Sequence, residues 1–315
     1  MHRRIDRRVV VRSLIGVSAA VVALAVACGG GPTEPGSGDS AVADVAAKVA
    51  QAAAAMTGQD AKLADDYEKG HYVGFDTHTF PGIAVMKAWK ETPGSPYKWV
   101  GFYLPSPCHP DSSWVGKRDT LVAMGWGLAA VYVGQQTWGR APRTLSASAL
   151  EALRKKTDCA TDLISADEGT READDAVRIS SAAGFPKGAV IFLDIERMET
   201  IPPPMRDYYK AWTSRMLSSG QYVPGIYAHQ HNAQQIFDDV SAVFAAAGRT
   251  EMPRFWVAGG KGFDEGRAPQ DVGYAFAGVW QGVIDVARSV ATIRLPVDVN
   301  VAKWASPSES GVNVQ

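Results

Sequence analysis

A chain of 315 residues with a formal net charge of −1 and 46% hydrophobic residues can bury one large core or two smaller ones. The near-neutral balance gives no electrostatic footprint for nucleic acid, and this apolar content with 21% charged residues excludes wholesale disorder.

In chain order, "MHRRIDRRVVVR" is a basic opening and "SLIGVSAAVVALAVA" an apolar run. That run is shorter than the roughly 20 apolar residues a membrane span needs and has the length of an export-signal core. It ends at Cys28 in "LAVACGG". Small residues before a cysteine resemble the lipobox of bacterial lipoproteins, with Ala25 where that pattern prefers Leu. Residues 1–28 are therefore predicted to be a lipoprotein signal peptide with Cys28 as the lipidated residue; a plain signal peptide cut nearby is the alternative. "DRRVVVR" resembles a twin-arginine export signal. The expected location is outside the cytoplasm, membrane-anchored and facing the periplasm or cell exterior. Of three cysteines, Cys108 and Cys159 then remain. In an oxidising compartment they are expected to form a disulfide, two separate buried thiols being the alternative.

Residues 29–40, "GGPTEPGSGDS" after Gly29, form a flexible Gly/Pro/Ser linker, and residues 41–70 an Ala-rich helical segment. From residue 71 the rhythm changes. Eight short apolar runs follow: "YVGFD" (72–76), "KWVGFYL" (98–104), "LAAVYVG" (128–134), "AVIFLD" (189–194), "VPGIYA" (223–228), "RFWVAG" (254–259), "FAGVWQ" (276–281) and "LPVDVNV" (295–301). Helical stretches lie between several of them, two closing at Gly184 and Gly220 and a third at Gly248. Strands alternating with helices over this length predict an α/β fold, a (β/α)8 TIM barrel over residues 71–305, with a tail at 306–315. A doubly wound open sheet is the runner-up, weakened because no Gly-rich dinucleotide fingerprint follows the first run.

Within "AVIFLDIERM" the period of a strand puts Asp194 and Glu196 on one side. At the end of a barrel strand that side is the catalytic mouth. Neighbouring carboxylates raise one another's pKa, which keeps one protonated to serve as an acid near neutrality. Asp76 ends the first run, and Asp298 lies within the eighth as a further expected substrate contact. Tyr103, Tyr132, Gln135, Tyr227, Trp256, Trp280 and Gln281 occupy comparable places and are the expected sugar contacts. Aromatic faces and amides suit the apolar faces and hydroxyls of sugars.

"GFDTHTFP", "LDIE", "GIYAH", "FWVAG", "VWQ" and "VDVN", in that order, resemble the strand signatures of the family 25 glycoside hydrolases, the muramidase or lysozyme type. The match is closer to the glycoside-hydrolase-like domain known as domain-of-unknown-function family 1906, which "GWGLAAVYVGQQ" and "READDAVRISSAAGFPKGAVIFLDIE" also resemble. The resemblance implies Glu196 as general acid, Asp194 as the group that orients the substrate's N-acetyl group or supports an oxocarbenium-like transition state, and Asp76 as a group balancing charge and position. It implies an amino-sugar cell-envelope polysaccharide such as peptidoglycan as partner, no cofactor, and a monomer. A catalytically inactive glycan-binding or wall-scaffolding module is the alternative. Two departures stand out: "DTHTF" where family 25 shows a "DVS"-like start, and Gly282 where an aromatic follows Trp-Gln.

Other chemistry is poorly supported. His229 and His231 have no third ligand at a recognisable spacing, so no metal site is expected. No G-x-S-x-G elbow is present. His78, beside Asp76, is a pocket-lining candidate, and "GGKGFDEG" (259–266) reads as a rim of the mouth.

Overall fold

In a computed structural model of the protein, residues 71–310 are described. The expected signal peptide with Cys28, the expected linker and Ala-rich helical segment, and residues 311–315 lie outside the described residues. Each of the eight apolar runs overlaps a strand: β1 Tyr72–Asp76, β2 Trp99–Tyr103, β3 Gly127–Val133, β4 Val190–Ile195, β5 Val223–His229, β6 Arg254–Ala258, β7 Ala277–Val290 and β8 Ile293–Ala302. They close in chain order into an eight-stranded barrel, as the sequence predicts.

Helices cover its outside: α1 Ile83–Glu91, α2 Arg118–Ala123, α3 Ala147–Arg154, α4 Ala166–Ala182, α5 Pro203–Ser219 and α6 Gln230–Ala246. The starts and stops follow from local chemistry. Ser165 accepts the Glu168 N–H at the start of α4, prolines open α5, and Gly220 takes the left-handed conformation that ends it. The sequence reading had no counterpart for α1, which has nine residues, or for α3, which buries none of its residues.

The barrel departs from a regular (β/α)8 plan at its end. Strands β1 to β7 run parallel, whereas β8 is antiparallel to both β7 and β1. Only Ala291 and Thr292 separate β7 from β8. A parallel crossover needs a dozen residues or more, so a two-residue connection forces a hairpin. This hairpin continues past the mouth, through bulges near Val283, to a turn at Ala291, which has φ 51°.

Large side chains fill the interior. Trp99, Trp256 and Phe192 are buried and meet edge to face, with ring centroids 5.4 and 5.8 Å from Trp256. Glycines on the inward face make room for them. A Cβ on Gly74 would lie 2.2 Å from the Trp99 ring, and one on Gly225 would lie 2.8 Å from Phe192. The lower end is closed by the chain's own C-terminal stretch. Residues 306–308, which the sequence reading assigns to a tail, fill the gap between the lower halves of β3 and β4. Leu128 N–H donates to Ser306 Oγ, Ala130 N–H to Ser308 Oγ, and Val190 N–H to the Ser308 carbonyl. Arg254 stacks on Trp304 and donates to the carbonyls of Pro307 and Ser310.

Cys108 and Cys159 form the expected disulfide, with Cα atoms 4.9 Å apart and a separation of 51 positions in the chain. It ties the loop after β2 to the segment between α3 and α4. Closing a loop of that length stabilises by about 4 kcal/mol in the chain-entropy account.

Candidate active site

The upper ends of the strands surround a cavity of about 200 Å³. Asp76, Asp194, Glu196 and Asp298 all line it or lie just beneath it, together with His78, Tyr103, Tyr227, Trp256 and Gln281. Strand alternation delivers them. Asp76 and Asp298 are directly opposite across β1 and β8, and Asp194 is opposite Tyr227 across β4 and β5.

Asp76 sits at the bottom, 1% exposed, and accepts three hydrogen bonds: from Tyr103 Oη (2.8 Å), Gln281 Nε2 (3.0 Å) and Asn300 Nδ2 (2.8 Å). The donors are themselves oriented. Trp256 can only donate, so its contact with Asn300 Oδ1 (3.0 Å) turns the Asn300 amide nitrogen toward Asp76. Tyr227 Oη donates to Gln281 Oε1 (2.7 Å), which leaves Gln281 Nε2 to bridge Asp76 and Asp298. Asp298 also accepts the Asp285 N–H at 2.7 Å.

Asp194 has the opposite character. It is 8% exposed, and its Oδ1 is buried with no hydrogen-bond partner. Burial, then Glu196 and Asp76, push its pKa well above the usual carboxylate range. Burial also raises Asp76, outweighing the three donors that act against it, and raises Glu196. Asp298 is pushed up to about 7 by burial and by Asp76. Four carboxyls this close share their protons rather than all ionise. Of the four, Glu196 has the exposed side chain, at the rim.

The backbone under the acids is held from β3. Gln136 Nε2 donates to the Asp194 carbonyl (2.8 Å), and its Oε1 accepts the Glu196 N–H (3.1 Å). Sequence reasoning missed Gln136, a loop residue whose side chain no strand pattern directs. It also missed Asn300, which the alternation from Asp298 places on the same inward face.

Three expected sugar contacts lie elsewhere. Tyr132 stands between Val131, which lines the mouth, and Val133, so the pleat points it out of the barrel, where it donates to Asp175 (3.1 Å). There it borders a larger cavity of about 510 Å³ between β3, α3 and α4. Gln135 is buried and structural: it donates to Glu172 and to the Asp158 carbonyl and accepts from Ala160 N–H, holding the segment that carries Cys159. Burial pushes that Glu172 up to about 7. Trp280 also points outward, with its N–H on the Gly259 carbonyl and its ring against Phe263. Because Phe263 occupies the space beside Gly282, a Cβ there would lie 1.9 Å from its ring. Trp256 belongs to the site, but as its floor, 1% exposed. Among the described residues no group of three or more His, Cys, Asp or Glu side chains has an arrangement that could hold a metal ion.

A closed barrel with carboxyls gathered at the upper strand ends is the architecture of a glycoside hydrolase-like protein. The chain belongs to the Rv2525c-like, glycoside hydrolase-like domain family, whose model matches residues 87–301. No curated protein sequence matches it. Similar solved structures include an uncharacterized B. stearothermophilus protein, 18% identical with a TM-score of 0.48, covering 73% of this chain and 95% of the other. The Clostridium perfringens spore cortex lytic enzyme SleM is 11% identical with a TM-score of 0.46, covering 74% and 67%. The catalytic domain of endolysin ply40 from bacteriophage P40 of Listeria monocytogenes is 13% identical with a TM-score of 0.44, covering 74% and 94%.

Proposed function

We propose that this protein hydrolyses glycosidic bonds in an amino-sugar cell-envelope polysaccharide, peptidoglycan first among them. The observation that carries this reading is the pair Asp194 and Glu196. Asp194 presents a buried oxygen that lacks a donor, and such an atom is costly unless something completes it. The N–H of a 2-acetamido group is a donor of the right kind, and an amino sugar carries it beside the scissile bond. Glu196 stands at the rim, and burial raises its pKa, the direction that suits a proton donor.

In the proposed reaction Glu196 transfers its proton to the glycosidic oxygen as the C1–O bond breaks. The Glu196 carboxylate then takes a proton from the water that adds to C1, restoring the acid. Asp194 fixes the C2 substituent. Asp76, held by three donors, supplies the negative charge beneath the sugar that favours an oxocarbenium-like transition state. Incubation with purified peptidoglycan should release reducing ends, and Glu196→Gln should abolish release with the melting temperature unchanged. Equal release by both proteins would remove Glu196 from the reaction. Sugar binding by the wild-type protein with no release would replace the enzyme by a glycan-binding module.

We further propose that the protein acts as a monomer, exported and held at a membrane through lipid on Cys28. The pattern of residues 1–28 supports this, as does a disulfide suited to an oxidising compartment. Mass spectrometry of the mature N-terminus checks the lipid; an unmodified Cys28 on the mature chain refutes it.

A further inference from the structure

We infer that Trp138 is the platform of a distal sugar subsite, so that a bound chain crosses the mouth from the β7–β8 hairpin to the loop after β3. This rests on the glycan reading above.

The mouth cavity, about 200 Å³, is smaller than the roughly 300–1,000 Å³ of sites that enclose whole organic ligands. It holds one sugar ring, and a polysaccharide must place its remaining rings on the rim. Two large apolar side chains are exposed there. Ile284, 56% exposed, lines the cavity from the base of the hairpin. Trp138, 63% exposed, sits in the loop that leaves the upper end of β3. In a ring of eight strands, β3 and β7 are four places apart and face each other across the opening.

The loop that carries Trp138 is firmly built. Two residues earlier, Gln136 grips the backbone of Asp194 and Glu196. Thr161 Oγ1 donates to the carbonyls of Gln136 and Thr137 (3.0 and 3.1 Å). Arg140 and Arg143 both bind the buried Asp162 carboxylate, at 2.6 and 2.5 Å. Trp138 itself has φ 47°, a left-handed conformation that a bulky residue rarely takes. The tripeptide backbone is thus fixed to the acid-bearing strand while the indole is left in solvent. Of the other tryptophans, Trp89, Trp99, Trp114, Trp126, Trp212, Trp256 and Trp280 are buried, and Trp304 is half-buried beneath Arg254. An exposed aromatic face on a firmly held backbone beside the acids is the chemistry that stacks on a pyranose ring.

The test uses peptide-free peptidoglycan strands, a disaccharide and an octasaccharide, titrated calorimetrically into Glu196→Gln protein so that nothing is cut. Trp138→Gly, which suits the backbone conformation, should weaken octasaccharide binding about tenfold and leave the disaccharide unchanged. Trp138→Phe should restore most of the loss. Undiminished octasaccharide binding in Trp138→Gly would overturn the distal subsite while leaving the glycan reading intact. Failure of the Glu196→Gln protein with native Trp138 to bind either strand would overturn the glycan reading and the subsite with it.

Discussion

Four acids within one small mouth make proton count the controlling variable at the residue scale. Asp298 illustrates the sign. Its ordinary value is 3.8 and its folded value about 7, so the folded chain holds the proton more tightly than the unfolded one. The stabilisation is present at pH values below about 4 and is lost as pH rises through about 7. Glu172, also pushed to about 7, adds to the same trend from outside the barrel. Asp298→Asn removes one titrating group without removing the acceptor for the Asp285 N–H. The melting temperature of the variant should therefore fall less between pH 5 and pH 8 than that of the wild type. A drop of equal size in both proteins would show that Asp298 does not hold its proton in the folded state. Part of this site was legible in the sequence: Asp194 and Glu196 set their own frame, because two acids closing an apolar run have one sensible side to face. Tyr132 and Trp280 offered no such marker. Their strands are apolar on both faces, one against the barrel interior and one against the outer layer, so composition does not say which residues point in.

At the scale of elements, the inward glycines decide where the acids sit. A Cβ on Gly101 would lie 2.5 Å from the Asp76 Cβ. Gly101→Ala must therefore push Asp76 away from Tyr103, Gln281 and Asn300. Overpacking of this kind costs about 1–3 kcal/mol, and a displaced Asp76 should also lower the rate of the proposed glycan cleavage. Thermal melts and reducing-end assays on the same variant check both; a fully active, fully stable variant would mean that β2 can shift without disturbing β1. The strands themselves were readable from their apolar runs, whereas α1 and α3 were not. A helix of nine residues leaves little periodicity, and one that buries nothing leaves none.

For the whole molecule, the direction of the last strand is set by the length of the connection before it. Between the seventh and eighth apolar runs lie 13 residues that look like a crossover. Bulges interrupt their alternation and much of their surface is exposed, so the hairpin they form was hidden. The closure of the lower end was hidden for a different reason: "SPSES" carries no apolar signal, yet Ser308 is wholly buried through its hydrogen bonds. Truncation after Ala302 would strip partners from the N–H groups of Leu128, Ala130 and Val190. At about 1 kcal/mol for each lost bond, the melting temperature should drop by roughly 6–12 °C. An unchanged melt would mean that the lower end closes without this segment.

The antiparallel ending also separates two jobs that a regular barrel combines. In a fully parallel barrel, the loop after the seventh strand must also lead into the crossover that returns the chain to the lower end. Here the rising and falling arms of the hairpin pair with each other above the rim, while closure is completed below it by Val279 to Gln281 against Asn300 to Ala302. Residues added or deleted in facing pairs near Ala291 would raise or lower this wall and leave the ring beneath untouched. The height of this wall is therefore a parameter that descent or design can adjust at one turn, independently of the acids.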